Sequence, residues 1–152
     1  MQYITSSEKA TRDLGKKLAK SLSGGQVFGL VGNLGTGKTC FIKGVAEGLN
    51  IKTTITSPTF VLMKVYPVKK HKTIKQLIHV DAYRLKNVKS WQSIGLEEYL
   101  QSKDSVVIIE WAEKIKKLLP IDAGFIGLEQ LSTNKRRITI SKYERARKSK
   151  KN

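Results

Sequence analysis

Hydrophobic residues in this chain form short continuous runs that alternate with longer segments of helical spacing. Continuous runs bounded by turn or charged residues are typical of buried β-strands. On this criterion, strands are predicted at residues 27–31, 60–66, 77–81, 105–110, 124–131 and 137–141. Helical spacing predicts helices at residues 8–22, 38–48, 94–100 and 111–119. Strands and helices therefore alternate along most of the chain.

The first predicted helix has clear boundaries. Residues 5–8, Thr-Ser-Ser-Glu, have the pattern of a capping box, which opens a helix. One apolar residue then recurs every four positions, at Ala10, Leu14, Leu18 and Leu22. The glycine pair at 24–25 ends the helix before the next strand begins.

The alternation of the two element types predicts an α/β fold, because helices between strands pack on both faces of a sheet. We expect a three-layer sandwich with a mostly parallel central sheet. In such sheets, ligands bind outside the carboxyl ends of the strands. Residues that follow the strands are therefore the first candidates for a functional site.

A glycine-rich loop connects the strand at 27–31 to the helix at 38–48. Residues 32–39 are Gly-Asn-Leu-Gly-Thr-Gly-Lys-Thr, the pattern of a phosphate-binding loop between a strand and a helix. Its backbone N–H groups can surround a polyphosphate at the positive end of the helix. Lys38 is expected to reach the β- and γ-phosphates, and the Thr39 hydroxyl to bind Mg²⁺. The loop predicts nucleotide binding in a P-loop NTPase-like fold.

The residues expected to bind the nucleotide are those of the loop and the one that follows it. They are Asn33, Leu34, Gly35, Thr36, Gly37, Lys38, Thr39 and Cys40. Cys40 is the only cysteine, which excludes an internal disulfide. Its thiol is expected to pack beside the loop rather than to act as a nucleophile.

Two acidic residues stand at the ends of predicted strands, Asp81 and Glu110. Each is a candidate for holding Mg²⁺ or for positioning the attacking water, which a phosphate-binding loop cannot do alone. The simpler alternative for a strand-end acid is a helix cap. Thr59, after Pro58, is a switch-like candidate near the γ-phosphate, and a plain turn before a strand explains it equally well. His79 is interpreted as a packed strand residue.

The composition is strongly basic. Lys and Arg number 29 against 12 acids, a formal net charge of +17. This imbalance favours a polyanionic partner, nucleic acid first and an anionic membrane second, or else reflects a lysine-rich composition with a solvated surface. We expect one domain over residues 1–142 and a flexible basic tail over 143–152. No apolar run approaches membrane-spanning length and no signal peptide is recognisable, so a cytoplasmic protein without membrane contact is expected.

Five motifs in order closely resemble the bacterial TsaE (YjeE) family. They are the loop at 32–39, Ser-Pro-Thr-Phe at 57–60, His-Val-Asp-Ala-Tyr-Arg-Leu at 79–85, Gly-Leu-Glu-Glu-Tyr at 95–99 and Glu-Trp at 110–111. The resemblance covers residues 5–140. It implies a small P-loop ATPase required for threonylcarbamoyladenosine modification of tRNA next to the anticodon. It also implies TsaD and TsaB as partners, with tRNA contacted directly or through their complex.

The resemblance also implies roles for single residues. Thr39 and Glu110 would be the Mg²⁺ ligands. Asp81 would be a catalytic or water-positioning acid, with Lys38 and Thr59 also catalytic. Trp111 belongs to the family pattern, and packing is its simpler role. The basic residues at 69–75 and 143–152 are not explained by the resemblance.

Three other classes of protein fit less well. A small-molecule P-loop kinase is the main alternative, but it needs an acceptor pocket and an arginine-bearing lid for which no segment is spare. A GTPase is disfavoured because Asn134-Lys135 lacks the aspartate that guanine readers use. A nucleic-acid-binding module explains the charge but not the acids. No obvious arginine finger is recognisable at the loop edge of the site, so slow hydrolysis with stimulation by the TsaB–TsaD pair is expected.

Overall fold

A computed structural model describes residues 1–141; the basic tail expected at 143–152 lies outside the described residues. One sheet organises this part of the chain. Its seven strands are β1 Gln2–Thr5, β2 Val27–Val31, β3 Met63–Pro67, β4 Gln76–Asp81, β5 Ser105–Glu110, β6 Gly124–Gln130 and β7 Arg136–Ile140. Their spatial order is β1-β7-β6-β2-β5-β4-β3.

The centre of the sheet is parallel. β2 pairs in parallel with both β5 and β6, and β5 pairs in parallel with β4. The outer pairs, β1–β7, β6–β7 and β3–β4, are antiparallel. The α/β class with mostly parallel core strands is therefore confirmed, and its carboxyl-end edge carries the ends of β2, β4 and β5.

Helices cover both faces of the sheet. They are α1 Glu8–Ala19, α2 Lys38–Gly48, α3 Val88–Ser93, α4 Leu96–Gln101 and a 3₁₀ helix at Ala112–Leu118. One buried cluster joins α1 and α2 to side chains such as Phe28, Leu30 and Ile108. A second, built around Trp91, Leu96 and the alternate strand residues, fills the opposite face. The three-layer arrangement is confirmed, because successive strand residues feed two separate cores.

Several boundaries differ from the sequence-based expectation. β1 was not predicted, since its four residues carry no continuous apolar run and pair with β7 far along the chain. α1 begins at Glu8 with Ser7 as its cap, whose hydroxyl accepts from the N–H of Ala10 at 3.0 Å. α3 is an additional helix, and the segment after β5 is 3₁₀ rather than α-helical.

The strand expected at 60–66 begins later, at Met63. The N–H of Leu62 donates to the carbonyl of Pro58 at 2.6 Å, which closes a turn and leaves Leu62 at φ 67°. Phe60 and Val61 are consequently exposed, at 83% and 59% of their surfaces. This turn, rather than a strand, precedes β3 and carries Thr59.

None of the helices within residues 1–141 combines the length and the apolar character needed to cross a membrane.

Candidate nucleotide-binding site

The glycine-rich loop lies between β2 and α2, at the carboxyl-end edge of the sheet. Gly37 caps α2 with φ 97°, a conformation that L-residues with side chains rarely adopt. α2 has no side-chain cap, so the N–H groups of its first turn are left for another partner. The loop therefore presents backbone donors and the positive end of a helix dipole to the space outside the sheet.

Lys38 is held against the loop that precedes it. Its Nζ donates to the carbonyl oxygens of Gly32 at 2.6 Å and Asn33 at 2.9 Å. Burial lowers the pKa of Lys38 from its ordinary value, an effect that the carboxylates of Glu110, Glu113 and Asp81 oppose. An ammonium group has three donors, so one N–H remains beyond the two loop carbonyls.

Two aromatic rings form one wall of this site. The Nζ of Lys38 lies 4.2 Å from the centroid of the Trp111 ring, and Tyr83 meets Trp111 edge-on at 5.1 Å. Trp111 itself has φ 59°, a strained backbone for a bulky residue. Such strain is concentrated at functional sites. Trp111 thus lines the site and contacts its lysine, which the packing role assigned from sequence did not include.

Thr39 and Glu110 come together as the sequence predicted. The Thr39 hydroxyl lies 3.3 Å from Oε1 and 3.4 Å from Oε2 of Glu110. Glu110 ends β5, and its register partner on β4 is Asp81, which ends that strand. The two carboxylates therefore stand side by side on neighbouring strands, facing the start of α2.

Asp81 is tied to the turn that precedes β3. Its Oδ2 accepts from the hydroxyls of Ser57 at 3.2 Å and Thr59 at 3.3 Å, and its Oδ1 accepts from the N–H of Tyr83 at 2.9 Å. The hydroxyl oxygens of Ser57 and Thr59 also lie 3.0 Å apart. The structure thus joins Thr59 to Asp81, and it adds Ser57, which the sequence analysis did not single out.

His79 makes a short hydrogen bond, which a residue that only packs within the strand would not make. It is fully buried on β4, and its Nε2 lies 2.6 Å from Oε1 of Glu110. The interpretation of His79 as a packing residue is therefore corrected: it is buried, but it hydrogen-bonds to a candidate metal ligand. The sequence did contain a signal for this: His79 stands two residues before Asp81 on the same strand, so both side chains lie on one face of the sheet.

Arg136 is a site residue that the sequence analysis missed. It begins β7 and is 7% exposed, and its Nε has no hydrogen-bond partner among the described residues. The Nε lies close to Gly37, 3.2 Å from where a Cβ would stand. Arg136 lies on the β7 side of the loop, away from Asp81 and Glu110, so the absence of an arginine finger at the loop edge stays a prediction. Arg136 was detectable from alternation, because it has the same parity as the buried Ile138 and Ile140.

These groups surround a cleft of about 600 Å³, within the range of small-molecule sites. It is lined by Glu8, Leu34, Gly35, Gly37, Lys38, Thr39, Cys40, Ser57, Thr59, Asp81, Tyr83, Glu110, Trp111 and Arg136. Asn33 and Thr36, also expected to bind the nucleotide, do not line it. They face Leu128 and Glu129 on the other side of the loop, where the Thr36 hydroxyl donates to the carbonyl of Asn33 at 2.8 Å.

The cleft is electrostatically divided. Arg136 lies on the β7 side of the loop, whereas Asp81 and Glu110 lie on the β4–β5 side. Lys38 stands between them on α2. The open backbone donors, the buried lysine and the unpartnered arginine nitrogen fit a phosphate-bearing ligand laid across the start of α2.

The donor set on the acidic side fits Mg²⁺ held together with a nucleotide. No cluster of three or more His, Cys, Asp or Glu able to hold a metal occurs within residues 1–141. Mg²⁺ does not need one, because it is usually bound by one or two protein oxygens plus phosphates and water. The Thr39 hydroxyl and the Glu110 carboxylate supply such oxygens.

Comparison with known proteins gives one family. Residues 5–139 match the family model described as "Threonylcarbamoyl adenosine biosynthesis protein TsaE". A protein named tRNA threonylcarbamoyladenosine biosynthesis protein TsaE from Treponema pallidum is 38% identical over 93% of this chain and 100% of its own length. One of the same name from Aquifex aeolicus is 35% identical, over 91% of this chain and 94% of its own. The crystal structure of Bacillus subtilis YdiB superposes with a TM-score of 0.77 at 30% identity, covering 95% of this chain and 86% of that one.

Proposed function

The chain belongs to the TsaE family, and from that premise we propose that it binds and hydrolyses ATP with Mg²⁺ in threonylcarbamoyladenosine modification of tRNA. The modification is made next to the anticodon, and the protein acts there with TsaD and TsaB. The observation that carries the proposal is the meeting of Thr39 and Glu110, 3.3 Å apart, beside a buried lysine at an uncapped helix start. A glycine turn without these partners would not bring a hydroxyl and a carboxylate together there.

The loop and its surroundings bind the phosphates. The N–H groups of Gly35, Gly37, Lys38 and Thr39 and the Nζ of Lys38 donate to phosphate oxygens, each contact being charge-assisted. The guanidinium of Arg136 supplies a further donor on the β7 side. The nucleoside end therefore lies toward Arg136 and Cys40, and the γ-phosphate lies toward the two acids.

Thr39 and Glu110 hold the metal on the acidic side. Bound Mg²⁺ neutralises charge that develops on the phosphates. Glu110 and Thr39 would hold Mg²⁺ through oxygens that come from regular elements, the end of β5 and the first turn of α2. Trp111 and Tyr83 form the wall of the cleft on this side.

Asp81 and Thr59 act on the attacking water. Asp81 is held by three donors from the chain, and two of them belong to the turn at 57–62. When the Thr59 hydroxyl donates to the γ-phosphate instead of to Asp81, one lone pair of the Asp81 carboxylate becomes free to accept from the attacking water. The turn thus behaves as a switch that responds to the nucleotide.

Hydrolysis by the isolated protein is slow, and TsaD with TsaB accelerates it. Among residues 1–141, Arg136 is the only arginine that lines the cleft, and it lies away from Asp81 and Glu110. An arginine brought to the γ-phosphate by a partner raises rates by roughly 10³–10⁵. Equal rates of phosphate release with and without the TsaB–TsaD pair would contradict this part of the proposal.

A reconstituted modification assay tests the function itself. Purified TsaD and TsaB, substrate tRNA and a threonylcarbamoyl donor are incubated with or without this protein, and the modified nucleoside is measured by mass spectrometry. We expect sustained modification only with this protein and hydrolysable ATP. Lys38→Ala serves as the matched control. Undiminished modification without the protein, or with Lys38→Ala, would contradict the proposal.

A further inference from the structure

His79, the buried histidine of β4, plays no part in the mechanism proposed above. His79 is 0% exposed, and its Nε2 lies 2.6 Å from Oε1 of Glu110. The contact runs diagonally between neighbouring strands, since the register partner of His79 is Ile108 and that of Asp81 is Glu110. His79 therefore reaches forward along the sheet to the candidate metal ligand.

The direction of this hydrogen bond follows from chemistry. An ionised carboxylate only accepts, so the Nε2 of His79 must donate. The Nδ1 of the same ring is buried without a hydrogen-bond partner among residues 1–141. A proton on Nδ1 would be an unsatisfied buried donor. The Nε2–H of His79 is therefore directed at Oε1 of Glu110.

This bond leaves the two oxygens of Glu110 unequal. Oε1 accepts a short bond from His79, whereas the Thr39 hydroxyl lies at 3.3 and 3.4 Å from Oε1 and Oε2. A carboxylate anchored at one oxygen has a fixed orientation, which keeps both oxygens of Glu110 within 3.4 Å of the Thr39 hydroxyl. Asp81 is oriented by three donors of its own, so Glu110 depends on His79 to a greater degree.

We propose that His79 is the positioning residue for Glu110, the proposed Mg²⁺ ligand: it holds Oε1 and thereby fixes the orientation of the carboxylate beside Thr39. The inference rests on the proposed function, because it assumes that Glu110 binds Mg²⁺ there. Partners of this kind orient metal ligands, and their loss typically lowers metal affinity about 10- to 100-fold.

The test compares three substitutions that separate the hydrogen bond from the packing. His79→Leu fills the space without a donor. His79→Asn is polar but too short to reach Glu110. His79→Gln places an amide N–H near the position of Nε2 and can restore the bond. Each variant is titrated with Mg²⁺ at a fixed concentration of mant-ATP, a fluorescent ATP analogue, and also with mant-ATP in EDTA.

We expect the Mg²⁺ concentration for half-maximal mant-ATP binding to rise about 10- to 100-fold in His79→Leu and His79→Asn. His79→Gln should stay within a few-fold of the unsubstituted protein. Affinity for mant-ATP in EDTA should be the same in all folded variants, because Lys38 and the loop are untouched. His79→Asn keeps the test decisive if the Leu variant does not fold.

Two results would overturn the inference. An unchanged Mg²⁺ midpoint in His79→Asn shows that Glu110 is oriented without His79. Equal loss in all three variants, with and without Mg²⁺, shows a packing residue only. Failure of the unsubstituted protein to bind mant-ATP would instead contradict the proposed function, and the inference with it.

Discussion

Glycine has a different role at the start of α2 from its role along the flank of the same helix. At its start, Gly37 adopts φ 97° so that the backbone can turn toward the cleft. Along its flank, Gly44 and Gly48 lie directly against α1, where a methyl group on Gly44 would collide with the carbonyl of Arg12. Gly15 on α1 is packed equally closely against Phe41. The start of α2 therefore leaves backbone N–H groups open for a ligand, whereas its flank brings the backbones of α1 and α2 into contact.

This difference separates binding from stability along one helix. The cleft end contains a buried lysine, a strained Trp111 and an arginine nitrogen that has no hydrogen-bond partner within residues 1–141, all of which lower stability. The flank packs α1 and α2 into the larger apolar cluster. We conclude that the packing of α1 against α2 keeps the site rigid, although the residues of the site themselves lower the stability of the fold. Substitutions at the cleft end should therefore affect ATP binding, and substitutions on the flank should affect stability.

The largest effect is expected at the cleft end, from Lys38→Ala. Loss of its charge-assisted contacts should weaken ATP binding by about 1.5–3 kcal/mol, before any loss of turnover. Calorimetric titration with ATP measures this, and thermal unfolding of the same sample should remain cooperative. Unchanged ATP affinity would show that the loop does not bind the phosphates.

A second pair of substitutions divides the acidic side of the cleft. Glu110→Ala should weaken Mg²⁺-dependent ATP binding as well as turnover, because Glu110 faces Thr39. Asp81→Ala should leave binding nearly intact and lower the hydrolysis rate, the pattern of an interaction made chiefly in the transition state. Mg²⁺ titration of each variant distinguishes them. An altered Mg²⁺ dependence in Asp81→Ala alone would exchange the two roles.

The flank is tested by Gly44→Ala. Alanine favours a helix over glycine by about 1 kcal/mol, but the methyl group would meet the backbone of Arg12, which cannot move without separating α1 from α2. Overpacking of this kind costs about 1–3 kcal/mol. We expect a lower melting temperature by calorimetry and unchanged ATP affinity in the protein that stays folded.

Lys43→Ala is the matched control for the flank, since Lys43 is the preceding residue of α2 and is partly exposed. It should leave the melting temperature nearly unchanged. A Gly44→Ala protein as stable as this control would show that the helices can separate freely, and that the flank does not brace the cleft.

The smallest effect is expected at Cys40, beside the cleft. Its Sγ donates to the carbonyl of Glu8 at 3.3 Å, and burial, with the Glu8 carboxylate, raises the pKa of the thiol from 9.0. Because the thiolate is the reactive form, alkylation by iodoacetamide should be slower than that of free cysteine. Its rate should still be rising above pH 9.0.

Mg²⁺ and ATP should slow the alkylation of Cys40 further, since Cys40 lines the cleft. Mass spectrometry of the alkylated protein gives both rates. Equal rates with and without ATP would show that the nucleotide does not reach this side of the cleft, and would remove Cys40 from the binding residues.

The central part of this architecture was predictable because its signals are local and strong. Continuous apolar runs gave β2, β4 and β5, and the glycine loop fixed the start of α2. Acids at the ends of β4 and β5 could be placed at one edge because parallel strands end together. The placement of residues 38, 39, 81 and 110 around one cleft therefore followed from the sequence, and their roles stay predictions.

The missed features depend on non-local pairing. β1 is a short edge strand that exists because it pairs with β7, and Arg136 enters the cleft because β7 begins at the edge where β6 ends. The bond between His79 and Glu110 depends on strand register, which no local pattern specifies. The turn before β3 was read as strand because Phe60 and Val61 are apolar, although both are exposed.

Hydrogen–deuterium exchange with and without Mg²⁺ and ATP tests the central claim most directly. The account predicts slower exchange for amides of residues 34–40, which face the nucleotide, and for the turn at 57–62. The flank of α2 at 44–48 should be unchanged. A second cavity of about 420 Å³, with Lys16, Lys43 and Lys52 among its lining residues, lies away from the loop. Protection centred on that cavity at 50–55, with none at 34–40, would contradict the account.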